Sequence, residues 1–505
     1  MKSFLKSSLA SLVFTSSLVG NLFAQEPKQE DYYTITPLFL QGDGAKPEGY
    51  TAPDGASIET GGVALMPDGR VAVATRRGQI WMVENAFDHP KKPAKWTVYA
   101  EYLHEILGLA VADGWLYAVQ RPEVTRMKDV DGDGRADIFE TVSDDWGINQ
   151  NYHEYTFGSR FDKDGNIWCT LCLTGSFTAN SLYRGWVLRV NKDGTMLPTA
   201  CGVRSPGGIG FNAEGDVFYT DNQGAWNGSS SLKWVKPGSF QGNPNGNIFF
   251  KYTDAIGPRP KDPDYTKDSR PVVARKEIPT YVPPAVVLPH GKIGQSPTGI
   301  EPDLSKGKFG PFAGQTFVGE QTYSKVQRVF LEKVNGIYQG AAFDFLEGFQ
   351  SGNIGLLLTK NGVMFTGGSN RGWGARGGKT NNFERVTWTG KVPFEIHEMR
   401  AKPDGFELTF TKPVDPKSAV DASFKCNAFT YRYQKGYGSP EVDKLDPKVT
   451  VTSVSPDGRS LRIKVEPLTK GHVHEFSCDG LKTTEGGHGL LHKKAYYTLN
   501  EIPAK

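Results

Sequence analysis

The feature that most constrains this chain is a unit that recurs between residues 61 and 390. Each copy has a Gly-led apolar strand, an Asp-Gly or Asn-Gly turn, a second apolar strand and often a third. The first copy reads Gly61-Gly62-Val63-Ala64-Leu65, turn Asp68-Gly69, Val71-Ala72-Val73, turn Arg77-Gly78, then Ile80-Trp81-Met82-Val83. Later copies turn at Asp113-Gly114, Asp164-Gly165, Glu214-Gly215 and Asn361-Gly362, and a fifth copy follows a Pro-, Asp- and Lys-rich stretch from Lys236 to Pro297 that reads as a loop excursion. One such unit cannot bury its apolar faces alone. Six in series predict an all-β fold, a six-bladed β-propeller over residues 50–390 whose inter-blade loops line the mouth of a central channel.

Beyond Val392 the pattern becomes strict alternation, as in Phe406-Glu407-Leu408-Thr409-Phe410 and Leu461-Arg462-Ile463-Lys464-Val465. A small C-terminal immunoglobulin-like β-sandwich over 392–505 is expected. With 59 Gly and 32 Pro in 505 residues, a helical bundle is excluded. Residues 1–24 carry Lys2 and Lys6, an interrupted apolar run from Leu9 to Phe23, and Leu22-Phe23-Ala24 before Gln25, the pattern of a signal peptide. We therefore expect a secreted or periplasmic protein with no transmembrane segment. The formal charge of +3 is spread among interspersed acids without a basic stripe, which excludes nucleic acid as a partner. Of five cysteines, Cys426 and Cys478 share the C-terminal segment and are expected to pair, whereas Cys169-x-x-Cys172 lies in a strand and lacks the His of a haem attachment site. His472, His474, His488 and His492 lack acidic or cysteine partners at metal-site spacing and read as surface histidines.

Two groups of residues carry chemistry. Asp129-x-Asp131-x-Asp133-Gly134-x5-Glu140 has the full spacing of a calcium loop, with Asp129, Asp131, Asp133, the Arg135 carbonyl, Asp137 and Glu140 as oxygen donors to a hard cation. Such a complete ligand set leaves no open position for substrate, so its role is structural. The second group sits in inter-blade loops. His153, in Asn149-Gln150-Asn151-Tyr152-His153-Glu154-Tyr155, is a candidate proton acceptor near neutral pH. Arg204, Arg76, Arg77, Arg121, Arg371 and Arg376 stand at comparable levels, several beside Gly, and suggest a carboxylated or strongly polar ligand.

The Gly202-Val203-Arg204-Ser205-Pro206-Gly207-Gly208-Ile209 stretch, the His153 loop and the six repeats resemble the glucose/sorbosone dehydrogenase propellers that use pyrroloquinoline quinone. Together with the inserted calcium loop and the trailing sandwich, they also resemble the large secreted dehydrogenase-like proteins of planctomycetes, verrucomicrobia and their relatives. The resemblance spans residues 50 to 390 and implies a sugar dehydrogenase that passes hydride from a sugar hydroxyl to the quinone. It further implies His153 as the base and Arg204 as a quinone contact, with Arg371 and Arg376 near the cofactor. Ser205 stands where that family usually has Asn. No Cys-x-x-Cys-His motif is present, so the resemblance implies a small-molecule sugar as substrate and an external electron acceptor.

Two other readings compete. A metal-dependent propeller hydrolase or lactonase would need carboxylates converging on an open metal, with Glu59, Glu154, Asp221 and Glu320 as candidates. A non-catalytic propeller would bind glycan or protein through loop aromatics such as Trp226, Trp234 and Trp373.

Overall fold

A computed structural model describes residues 26–39, 57–372 and 374–504. The expected signal peptide and Trp373 lie outside the described residues. The chain is nearly all β and is built from four-stranded antiparallel sheets, as a β-propeller is. The Asp-Gly turns work as local chemistry requires. At Asp113-Gly114 both residues take positive φ, 53° and 78°, and close the hairpin in which Ala112 faces Trp115.

The first strands of six successive sheets are Thr60–Leu65, Leu109–Ala112, Thr156–Phe161, Pro206–Phe211, Pro297–Pro302 and Gly355–Leu358. Each lies against the next, and the last returns to the first, so the strands close a ring around an axial channel. The sixth sheet is completed from the other end of the described chain. Tyr33–Phe39 pairs antiparallel with Asn381–Trp388, in register from Tyr33 opposite Trp388, and ties the two ends of the ring together. The 236–297 excursion is structured. It holds a 3-10 helix Pro244–Lys251, an α-helix Pro271–Glu277 and the strand Val286–Leu288, which is the outer strand of the fourth sheet.

The C-terminal residues form two layers of strands, but they are not a separate body. Ile396–Lys402, Gly405–Phe410, Ser460–Glu466 and Lys448–Val454 make one sheet. The other layer joins the ring. Lys494–Leu499 pairs with the outer strand of the fifth sheet, Ile337–Glu347, with Ala341 opposite Tyr497, so the two become one eight-stranded sheet. Phe330, Ala341 and Phe343 of the ring share a single apolar core with Phe406, Leu408, Ile463, Phe476 and Tyr497. The C-terminal strands, expected as a domain of their own at 392–505, instead extend the fifth sheet and share its core.

The Cys426–Cys478 bond is corrected too. Cys426 faces Phe476, two residues short of Cys478, and both thiols are free and buried. Such diagonal neighbours lie roughly 7–8 Å apart, beyond the Cα separation of about 4.4–6.8 Å that a disulfide tolerates. Nor are the histidines all superficial. His474 is fully buried, with its pKa pushed down to about 3 by burial, and His492 pairs with Glu395 at 2.5 Å.

One shared core implies one cooperative transition. Phe343→Ala, which empties a buried site in that core, is expected to cost about 3–5 kcal/mol. Differential scanning calorimetry should show the ring and the C-terminal strands melting together in both proteins, and two separated transitions would contradict the shared core.

Candidate active site at the channel mouth

The loops that enter the first strands converge at one end of the channel. Arg76, Tyr155, Ser205, Asn222, Thr298 and Gln321, drawn from the first, third, fourth and fifth sheets, line a cavity there. Most of its polar atoms are paired, but the buried Oδ1 of Asn222 and Nε2 of Gln321 have no partner. An acceptor and a donor left open in one small cavity suit a hydroxyl-bearing ligand or water.

Around this cavity the charge is uneven. Arg76 is buried, pairs with Glu105 at 2.7 Å and donates to the Tyr155 hydroxyl at 3.1 Å. Arg371 pairs with Glu59 at 2.6 Å and with Glu105 at 3.4 Å. Arg77 takes Glu59 at 2.8 Å, and Arg121 takes Glu105 at 3.6 Å. Four guanidinium groups therefore share two carboxylates. The Arg371 and Arg77 side chains are 44% and 54% exposed, which leaves this positive excess facing solvent.

His153 stands beside that network on the loop before the third sheet. Its backbone N–H donates to Asn151 Oδ1 at 3.0 Å, and its ring lies 4.1 Å from the Tyr152 ring and 6.1 Å from the Tyr155 ring. Burial, and then the charges of Arg204 and Arg121, hold its pKa below 6.5. The imidazole is thus neutral at neutral pH and able to accept a proton. The loop is pinned from below. Buried Glu154 accepts from Thr174, from Ser181 at 3.1 Å and from the backbone N–H of Asn149 at 2.5 Å. Arg184, with no exposed surface, donates to the carbonyls of Gly147, Glu154, Tyr155 and Arg121.

The other predicted cofactor residues are distributed differently. Arg204 lies close enough to His153 to shift it, but its guanidinium is buried and turned to the main chain through Nη1, with its Nε left unpartnered. It donates to the carbonyls of Asn222 and Gln223, the latter at 2.6 Å, and sits between the Phe177 and Tyr437 rings at 5.9 and 4.9 Å. Arg371 belongs to the mouth. Arg376 does not. It packs over the Tyr323 ring at 3.9 Å and faces a separate cavity shared with Lys325, Asp344 and His492.

The carboxylates named for hydrolysis do not converge. Glu59 serves Arg77 and Arg371, and Glu154 is used as above. Asp221 takes the Ser205 N–H and the ammonium of Lys233. Glu320 accepts backbone N–H groups of Gln295, Ser296 and Tyr323. Trp226 is buried against Tyr433, and the half-buried Trp234 packs on Tyr338 with the Lys333 ammonium over its ring.

The acidic loop lies between the third and fourth strands of the second sheet. Asp129, Asp131 and Asp137 bring carboxylate oxygens within 4.8 Å of one another. Asp133 is turned to the backbone N–H of Arg135, whose side chain reaches toward Glu101. Glu140 is a correction to the ligand set. Its strand pairs it opposite Arg126, and the two form a 2.5 Å ion pair away from the loop. Sequence reasoning missed Glu105, Tyr155, Arg184 and Gln321, since single charged or polar residues in loops carry no spacing signal.

A sequence-family profile described as a domain of unknown function, DUF7133, matches residues 76–250, a stretch that holds Arg76, the acidic loop, His153 and Arg204. No curated protein sequence matches the chain. Among solved structures the chain is similar to a glucose dehydrogenase at 12% identity, over 71% of this chain and 100% of that one, with a TM-score of 0.47. It is similar to the holo PQQ domain of pyranose dehydrogenase from Coprinopsis cinerea at 13% identity, over 70% and 95%, with a TM-score of 0.47. A family AA12 carbohydrate-active enzyme of Trichoderma reesei aligns at 11% identity over 72% and 98%, with a TM-score of 0.47.

The lowered pKa has a sign that can be checked. The folded chain binds the His153 proton less tightly than the unfolded chain does. This residue therefore costs the fold nothing well above pH 6.5 and destabilises it progressively as pH falls from 6.5 towards the lower folded pKa, beneath which the penalty is complete. NMR titration should place the His153 midpoint below 6.5, and Arg204→Gln should raise it by removing a nearby cation. A midpoint above 6.5 in the parent protein would contradict the geometry.

Proposed function

We propose that the chain is an exported six-bladed propeller dehydrogenase that takes hydride from the hydroxyl-bearing carbon of a sugar and passes the electrons to an external acceptor. In this reading, residues 1–24 are a removed signal peptide, residues 50–390 with the added Tyr33–Phe39 strand are the propeller, and 392–505 is a sandwich fused to it. The observation that carries the reading is a neutral imidazole, His153, set beside a polar channel mouth with an excess of guanidinium charge.

An acidic planar quinone of the pyrroloquinoline type fits that mouth by charge. Arg371, partly exposed and sharing its carboxylates with other arginines, would hold an acidic edge, whereas Arg204 is already committed to carbonyls and would act through His153. When bound, the quinone supplies the hydride acceptor. The chain's own part is to position the sugar and take the proton. Ser205, Asn222 Oδ1 and Gln321 Nε2 are placed to orient hydroxyls, and His153 receives the proton of the hydroxyl being oxidised.

Dye reduction by the quinone-loaded protein with a panel of aldoses tests this. His153→Ala should lower turnover by about 100-fold or more with the melting temperature kept. Full activity in that variant would remove the base and with it the proposal.

The acidic loop is proposed as a structural calcium site held by Asp129, Asp131 and Asp137. Calcium favours oxygen donors of this kind, and the cation would relieve repulsion in a hairpin that projects from the second sheet. A chelator should lower the melting temperature of the parent protein and leave Asp131→Ala unmoved. Unchanged melting together with no calcium in elemental analysis would contradict the site.

A further inference from the structure

We propose that Phe177 and Tyr437 form a stacking subsite for an oligosaccharide beside His153, built jointly by the ring and the C-terminal strands. The inference rests on reading the channel mouth as a sugar site and extends it to a longer substrate.

Tyr437 comes from a loop more than two hundred residues away in sequence, and that loop is held by main-chain bonds. The Trp226 N–H donates to the Gln434 carbonyl at 2.7 Å, the Gly438 N–H to Gly224 at 3.1 Å, and the Ser439 N–H to Gly228 at 3.0 Å. Beneath, Tyr433 packs on Trp226 and Tyr281 with ring centroids 5.0 and 5.3 Å away. The tip is therefore fixed, yet it presents Tyr437 63% exposed. Facing it at 6.2 Å is Phe177, 53% exposed. Phe177 rides on a turn tied to the catalytic loop, because Asn151 Oδ1 accepts both the Gly175 N–H at 3.1 Å and the His153 N–H at 3.0 Å.

Two aromatic rings held rigidly and left open to water mark a binding surface rather than a core. Their surroundings select the ligand. The rings bracket the Arg204 guanidinium, and the amides of Gln223 and Gln434 lie close by, donating to Gly228 and Gly438 carbonyls. An apolar peptide or lipid would bury that polar frame at a cost. A pyranose ring suits it, since its C–H face stacks on an aromatic ring while its hydroxyl edge meets the amides at the rim. Because the platform stands beside the channel mouth rather than in it, it takes a sugar unit next to the one presented to His153. The ligand is then a chain of sugars, and the C-terminal strands contribute directly to substrate choice.

Calorimetric titration of the full chain, with no quinone added, tests this with maltohexaose, cellohexaose and xylohexaose against glucose and xylose. At least one hexamer should bind about tenfold or more tightly than its monosaccharide. Tyr437→Ala should abolish that advantage and Tyr437→Phe should keep it. Phe177→Ala, on the ring side, should act as Tyr437→Ala does, so that disturbed docking of the distal loop cannot account for the loss. Equal affinity for hexamers and monosaccharides, or an advantage that survives both alanine variants, overturns the subsite. Hexamer binding in a protein that never reduces dye would sink the dehydrogenase reading alone. Monosaccharide oxidation without hexamer preference would sink the subsite alone.

Discussion

The whole arrangement depends on main chains touching at the ring axis. A Cβ at Gly108 would lie 2.5 Å from the Gly158 carbonyl oxygen, one at Gly207 2.1 Å from that of Pro297, and one at Gly299 2.7 Å from that of Ile354. Any side chain there would push neighbouring sheets apart. Glycine lets the inner strands converge, and the channel they leave is narrow and walled by backbone. Convergence also decides where function can sit. The loops entering these strands crowd together at the mouth, so residues from 76 to 321 become neighbours.

Crowding brings charge with it. Arg76 and Glu105 are buried as a pair, and the Lys233 ammonium meets Asp221 at 2.9 Å with almost no exposed surface on either. Removing one member of such a pair leaves a buried charge without compensation, so these contacts set loop geometry more than they add net stability. Burial first, and then the charges of Arg204 and Arg121, keep His153 neutral.

Much of the ring was legible in the sequence because hairpins are local: Asp113-Gly114 and its flanking strands need nothing from elsewhere in the chain. Long-range pairings were not. Tyr33–Phe39 contains Pro37 and finds its partner some 350 residues on, and Val286–Leu288 is a short strand inside a Pro-rich stretch. At the site, His153 and the acidic loop stood out by residue type and spacing, but spacing alone could not reveal that Glu140 is taken by Arg126 across the ladder. Arg204 could be singled out, but not its burial under Tyr437, which depends on how the fifth sheet carries the C-terminal strands round to the fourth.

The central claim is that the mouth performs hydride transfer from a sugar carbon with a protein base. An anaerobic single-turnover experiment tests it most directly, with quinone-loaded protein mixed against an aldose and against the same sugar deuterated at its anomeric carbon. The account predicts that the quinone spectrum bleaches on mixing and does so several-fold more slowly with deuterium. A protein that takes up no quinone, or a spectrum that no aldose changes, would contradict it.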